Sequence, residues 1–256
     1  MRIRGFAPST PCWVELTTSD PAGAVTFYAE LFGWQIDGDR FLRDGCAVAG
    51  LGQSRPDRPQ GWLTYLATAD LEETLQKIQT AYGHRLARPQ ERPGARTALV
   101  ADAAGAVLGL WQANGFAGAQ LRGEPNTLAW PDLLTDDVRT ATAFYGSVFG
   151  WSLTHEFGSG EWLTEAHDSV AGLIAGRYGT HWQPSFQVDD CQSAIERSCR
   201  LGARVAAAPV EMGLGSYVEL VDPFGAPFAI TAPVHRPVEL AVAYNDIIGM
   251  ELTYGG

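Results

Sequence analysis

The sequence predicts an α+β protein made of two copies of one unit, and three observations carry that prediction. The phrase Phe27-Tyr28-x-x-x-Phe32-Gly33-Trp34 returns as Phe144-Tyr145-x-x-x-Phe149-Gly150-Trp151, 117 residues later (151 − 34). Upstream, at the same offset, Trp13-x-Glu15-Leu16 matches Trp130-x-Asp132-Leu133, and Asp20 matches Asp137. Within each half, a short strand, a capped helix and further strands occur twice over.

The first strand is predicted over 13–17. Asp20-Pro21 follows, an N-cap with proline at the first helical position. Ala24, Phe27, Tyr28, Leu31 and Phe32 then recur at helical spacing, and Gly33 ends the helix. Apolar runs at 41–42 and 47–51 read as strands, and the polar, Pro/Gly-rich segment 52–61 as a loop. The pattern restarts with a strand over 62–67, an N-cap at Asp70, a helix face of Leu71, Leu75 and Ile78, and strands at 96–100 and 107–111. The second half repeats it: a strand from Trp130, a helix over 137–149, a strand over 182–188, a helix over 190–201, and the turn Asp222-Pro223-Phe224-Gly225 before a last strand at 226–230. The domain reading is therefore 1–113, a linker at 114–126, 127–232, and an extension at 233–256 without a counterpart, in which 240–250 is apolar enough to pack against the body.

Composition narrows the function. With 46% hydrophobic residues, each half has material for its own core. A net charge of −11 argues against nucleic acid and against an anionic membrane surface as partners, since both require basic patches. No run approaches the ~18 apolar residues of a membrane span, and the start shows no apolar signal region. Cys12, Cys46, Cys191 and Cys199 show no CxxC spacing and read as free thiols of a cytoplasmic protein.

The strand–capped helix–F-Y-x-x-x-F-G-W–strands–D-P-x-G pattern resembles the vicinal oxygen chelate superfamily of glyoxalase I, extradiol dioxygenases and bleomycin-resistance proteins. Details such as Val48-Ala49-Gly50-Leu51 and Val170-Ala171-Gly172-Leu173 look most like its tandem glyoxalase-like actinobacterial members, some of which carry a hydroxylase label. The resemblance implies two tandem domains, each a pair of βαβββ motifs whose sheet curls into a ligand-holding cup. It also implies where a metal would sit: at Trp13 and Trp130, at Thr64 and Pro184, and at Gly109 and Ala229. None of these six is a good ligand for a divalent ion, so no metal and no cofactor are expected. The histidines offer no replacement: His155 and His167 flank a hairpin with Glu161 and Glu165 and read as surface residues.

Strand residues two apart share a face. On that rule the cups offer Trp13, Glu15, Trp62 and Trp111 in half one, and Trp130, Asp132, Trp182 and Tyr217 in half two, with Cys12 facing away. Aromatic walls suit a planar small molecule, although tryptophans can equally fill a core. Glu15 and Asp132 are the candidate proton-transfer groups, or structural acceptors. The expectation is a metal-free protein that binds an aromatic or polyketide-like molecule, with lyase, isomerase or hydroxylase-like chemistry; the alternative is a sequestering protein of the bleomycin-resistance kind. Two halves on one chain allow a monomer, and the extension allows a homodimer. One cup is expected to work and the other to have drifted.

Overall fold

The computed structural model describes residues 3–55, 58, 60–156, 158–176, 179–212 and 215–233. The apolar stretch at 240–250, and with it most of the extension, lies outside the described residues. Half one runs β1 (Pro11–Thr18), α1 (Pro21–Phe32), β2 (Gln35–Asp37), β3 (Arg40–Arg43), β4 (Cys46–Gln53), then β5 (Gly61–Ala67), α2 (Leu71–Thr80), β6 (His84–Arg85), β7 (Gln90–Arg92), β8 (Ala95–Ala101) and β9 (Val107–Ala113). Half two runs β10 (Leu128–Thr135), α3 (Val138–Phe149), β11 (Ser152–Glu156), β12 (Ser159–Leu163), β13 (Ser169–Ala175), then β14 (His181–Gln187), α4 (Cys191–Arg200), β15 (Arg204–Val205), β16 (Val210–Met212), β17 (Gly215–Val221) and β18 (Pro227–Pro233).

All four helices begin as the sequence predicts. Asp20, Asp70, Asp137 and Asp190 each accept a hydrogen bond from the backbone N–H three residues on, meeting one of the otherwise unsatisfied donors of the first turn. Gly33 and Gly150 close α1 and α3 in the left-handed region, at φ 72° and 71°, where a side chain would be strained.

Each half contributes one curled sheet. The first has the order β2-β3-β4-β1-β5-β9-β8-β6, with β7 on β8; the second repeats it as β11-β12-β13-β10-β14-β18-β17-β15, with β16 on β17. The central strands β1 and β5, and β10 and β14, are antiparallel neighbours, so the two motifs of a half join into one sheet. Helices cover one face of each sheet; the other face is the cup.

The helix layers are shared between the halves. One core combines Phe27, Tyr28, Leu31 and Phe32 of α1 with Phe186, Val218, Leu220, Phe228 and Ile230 of half two. The other combines Phe144, Tyr145, Val148 and Phe149 of α3 with Leu66, Leu71, Ile78, Val100 and Leu110 of half one. Each F-Y-x-x-x-F-G-W phrase is thus the knob that locks one half onto the other, which is why both copies keep it.

Candidate functional site

The pairing register decides which residues face the cups. Trp13 lies opposite Tyr65, Glu15 opposite Leu63 and Leu16 opposite Trp62. In half two Trp130 lies opposite Ser185, Asp132 opposite Gln183, Leu134 opposite His181 and Leu133 opposite Trp182. Directly paired residues share a face, so the cup side of β5 and β14 carries 61, 63, 65 and 181, 183, 185. Trp62 and Trp182 are therefore corrected: they sit in the helix-side cores, where their indole N–H groups donate to Tyr28 Oη at 3.0 Å and Tyr145 Oη at 2.8 Å. The reason is parity. Trp13 and Trp130 stand seven residues before their capping aspartates, and the matching positions before Asp70 and Asp190 are Leu63 and Gln183. Counting six put Thr64 and Pro184 on the wrong face. Cys12 is a second correction: a register shift between Pro11 and Trp13 places it in the cup-side cluster beside Trp13, with Sγ 3.5 Å from the Tyr65 carbonyl. Burial raises its thiol pKa and keeps it protonated.

Cup one is filled. Trp13, Leu63, Tyr65, Leu99 and Trp111 pack into one cluster, and the Tyr65 ring occupies the space where a Cβ on Gly109 would stand. Phe116, from the segment between the halves, packs edge-on to Trp13 at 5.2 Å and lies 5.8 Å from Trp111, under the Arg40 guanidinium at 3.9 Å. The same segment is tied down by hydrogen bonds from Ala119 N to the Cys12 carbonyl and from Gln120 N to the Ala47 carbonyl. It is a fitted plug, not a loose tether. Glu15, 1% exposed, is clamped by two arginines. Arg92 Nη1 donates to Oε2 at 2.6 Å, and Arg58 Nη2 meets Oε1 at 2.7 Å, charge to charge without the alignment of a hydrogen bond. Both oxygens of this carboxylate are thereby engaged by guanidinium groups. The recess left beside Trp13, Arg40, Arg92 and Phe116 encloses about 10 Å³, room for roughly one water.

Cup two keeps the frame and changes the lining. Position by position, Gly61, Leu63, Tyr65, Thr97, Leu99 and Trp111 become His181, Gln183, Ser185, Tyr217, Glu219 and Thr231. Its Trp130, His181, Glu219 and Thr231 all retain partial exposure, whereas Trp13, Gly61, Leu99 and Trp111 are buried. The strand position of Arg92 is held by Met212, which has no charge to offer. Among the described residues no cation contacts Asp132. Asp132 is 7% exposed; burial pushes its pKa up to about 7, against a hydrogen bond from Tyr217 and with help from the Glu219 charge. Tyr217 Oη lies 3.5 Å from Asp132 Oδ2 and accepts from Gln183 Nε2 at 3.2 Å. Burial, and then the Asp132 charge, raises the Tyr217 pKa and keeps it a donor. Burial likewise raises Glu219.

The V-A-G-L phrase now has a physical reason. A Cβ on Gly172 would overlap Asp132 Oδ1, and one on Gly50 would stand 3.0 Å from both Glu15 Cγ and Trp13 Nε1. Glycine leaves room for the carboxylate and indole to lie across the neighbouring strand.

The structure brings Trp13, Glu15 and Trp111 together in cup one, and Trp130, Asp132 and Tyr217 in cup two. The sequence reading missed Arg58, Arg92, Phe116, His181 and Gln183. Correct strand parity would have found the last two.

Comparison with known proteins agrees with this architecture. A family model for the glyoxalase-like domain matches residues 130–231. The Streptomyces protein named "Anthracycline biosynthesis protein DauV" is 32% identical over 93% of this chain and 96% of its own. The chain belongs to the glyoxalase-like, vicinal oxygen chelate superfamily. The Mycobacterium tuberculosis protein named "Putative glyoxylase CFP32" is 33% identical, over 89% of this chain and 96% of its own. The Mn(II)-bound glyoxalase of Novosphingobium aromaticivorans shares the fold at a TM-score of 0.64, with 16% identity, over 88% of this chain and 82% of its own.

The metal of such superfamily members does not fit the residues here. Trp13 and Trp130 are indoles, side chains at Gly109 and Ala229 carry no donor atoms, and the cup-facing residues of β5 and β14 are Gly61, Leu63, Tyr65, His181, Gln183 and Ser185, among which His181 is the single ordinary metal ligand. In cup one the Glu15 carboxylate is already paired with two arginines, whose charge would repel a cation. Among the described residues, no three His, Cys, Asp or Glu side chains converge as a ligand set.

Proposed function

We propose that this protein binds a planar aromatic, polyketide-like small molecule in cup two, without a resident metal, and that Asp132 exchanges a proton with it. One contrast carries the reading: Glu15 is locked between two arginines, whereas Asp132 has no cation among the described residues and a pKa near 7. A carboxylate in that range can take or give a proton at neutral pH. Trp130 supplies an aromatic wall, Tyr217 and Gln183 supply donors, and the partly exposed rim gives access. This suits lyase or isomerase chemistry on an acidic C–H or O–H. The named role of DauV in anthracycline biosynthesis supports a polyketide-like ligand. The site works in a cytoplasmic monomer or homodimer.

Two probes test it. Alizarin, a planar dihydroxyanthraquinone, should quench Trp130, and Trp130→Ala should weaken its binding by about 1–3 kcal/mol. Exchange of the α-hydrogens of 2-tetralone in deuterated water should be accelerated by the wild type and lost in Asp132→Asn. Binding without exchange would leave a sequestering protein of the bleomycin-resistance kind. Undiminished alizarin binding in Trp130→Ala would remove cup two as the site. Neither readout should change after EDTA treatment, and elemental analysis showing about one metal ion per half would overturn metal independence.

A further inference from the structure

We propose that cup one is a second ligand site, held closed by the protein's own Phe116, and that a single-ring aromatic carboxylate takes that side chain's place. The Phe116 ring sits as a bound ring would. It stands edge-on to Trp13 at 5.2 Å and 5.8 Å from Trp111, with the Arg40 guanidinium 3.9 Å from its centroid. Indole faces and a planar cation are the surroundings in which aromatic ligands are held. The ring is not sealed in: Phe116 is half-buried, whereas Trp13 and Trp111 behind it are buried.

The backbone that carries the ring is built to move as a short flap. It lies between the end of β9 at Ala113 and the anchor at Ala119, outside any strand or helix. Gly115 and Gly118 flank the ring at φ 104° and 125°, in the region that favours glycine. The N–H groups of Asn114 and Phe116 both donate to the Gly94 carbonyl, at 2.7 and 2.9 Å, and the Trp111 indole donates to the Phe116 carbonyl at 2.9 Å. Exchanging such bonds for bonds to water costs little. The flap therefore lifts while Ala119 and Gln120 stay tied to Cys12 and Ala47.

Charge selects the ligand. Arg40 and Arg92 line the recess with Glu15 and Asp39, and Arg58 joins them on Glu15, so three positive charges meet two negative ones in a chain of net charge −11. Arg58 and Arg92 are taken up by Glu15. Arg40 approaches Asp39 at 3.8 Å and donates to the Pro93 carbonyl at 3.4 Å; most of its N–H donors meet no acceptor among the described residues. A carboxylate on the incoming ring satisfies that guanidinium fork. Cup two, with Asp132 and Glu219 in its lining, has the opposite sign. With only about 10 Å³ free beside the phenyl ring, the opening suits one ring and its carboxylate rather than the fused rings of alizarin.

Benzoate and benzamide, alike in shape and unlike in charge, test this on the full chain by NMR of the backbone amides. In the wild type, benzoate should shift Gly115, Phe116 and Gly118 and speed hydrogen exchange at the Phe116 amide as its bond to Gly94 opens. Phe116→Ala leaves no ring to displace and should bind benzoate about 10-fold tighter. Phe116→Leu, gentler on folding, should fall between the two. Arg40→Gln, or benzamide in place of benzoate, should weaken binding about 10-fold. If Phe116→Ala binds benzoate while the wild-type flap resonances and exchange stay unchanged, or if neither protein binds it, the ring is plain core and the site does not exist. Equal binding of benzamide, or by Arg40→Gln, would overturn the assignment to an anion. All reporters lie on cup one, so this result and the alizarin and tetralone readouts of cup two can fail separately.

Discussion

The Tyr28 hydroxyl lies 2.9 Å from Asp222 Oδ2, joining residues 194 positions apart, and Tyr145 makes the reciprocal contact with Asp102 at 2.8 Å. Each tyrosine also accepts an indole N–H, from Trp62 or Trp182. The other oxygen of each aspartate holds its own turn together, through the N–H groups of Ala104 and Ala106 or of Phe224 and Ala226. The helix phrase of one half is therefore bonded to the D-x-x-G turn of the other, twice.

Removing one of these hydroxyls should be expensive. Tyr145→Phe keeps the ring but leaves the Trp182 N–H and Asp102 Oδ2 without their buried partner. A loss of about 1–3 kcal/mol is expected, measured as a lower urea midpoint with an unchanged slope.

Gly172→Ala should displace Asp132. The new methyl would overlap Oδ1, so the carboxylate must rotate away from Tyr217 or the strands must part. A stability loss of about 1–3 kcal/mol should come with failure to exchange tetralone hydrogens. Gly50→Ala, its counterpart in cup one, should cost stability and leave exchange intact.

The pH dependence of stability should carry the mark of Asp132. Its pKa rises from the ordinary 3.8 to about 7 on folding, so between those values the folded protein keeps a proton that the unfolded chain has released. Stability that Asp132 contributes below pH 3.8 is lost progressively as pH climbs to 7. Asp132→Asn should therefore gain on the wild type across that interval, by up to about 4 kcal/mol, with a constant difference above it. Chemical denaturation at pH 4, 5.5, 7 and 8.5 would show it; parallel curves would contradict the burial of an uncompensated carboxyl.

Glu15→Gln should behave in the opposite sense. It strips Arg58 and Arg92 of the charge they enclose, at a cost of about 3 kcal/mol. Alizarin affinity should stay at the wild-type value. A fall in affinity with preserved stability would move the working site to cup one.

What could be read from the sequence was what is local. Helix spacing, the Asp caps and the αL glycines are set within a few residues, and the repeat doubled their weight. The faces of β5 and β14 were as local, since the cup-side positions stand seven residues before Asp70 and Asp190 as they do before Asp20 and Asp137. A count of six inverted them. Trp62 and Trp182 misled for a physical reason: an indole suits a ligand wall and a packed core equally well. The Glu15 clamp was invisible for another. Its arginines come from positions 58 and 92, on a loop and a three-residue strand, with no period to betray them. The divergence of the cups was half visible, since Tyr217, Glu219 and Thr231 could be compared with Thr97, Leu99 and Trp111.

The crossed helix layers make this chain a natural split protein. A cut between the halves would produce two pieces, each with a finished sheet and two half-cores that only the other can complete. Such pieces would be poorly soluble alone and would reassemble when expressed together, guided by the two tyrosine–aspartate pairs. Reassembly would also restore the plug of cup one only when the segment carrying Phe116 stays with the first piece. The choice of cut site would thus give experimental control over the closing of cup one, with cup two left as it is.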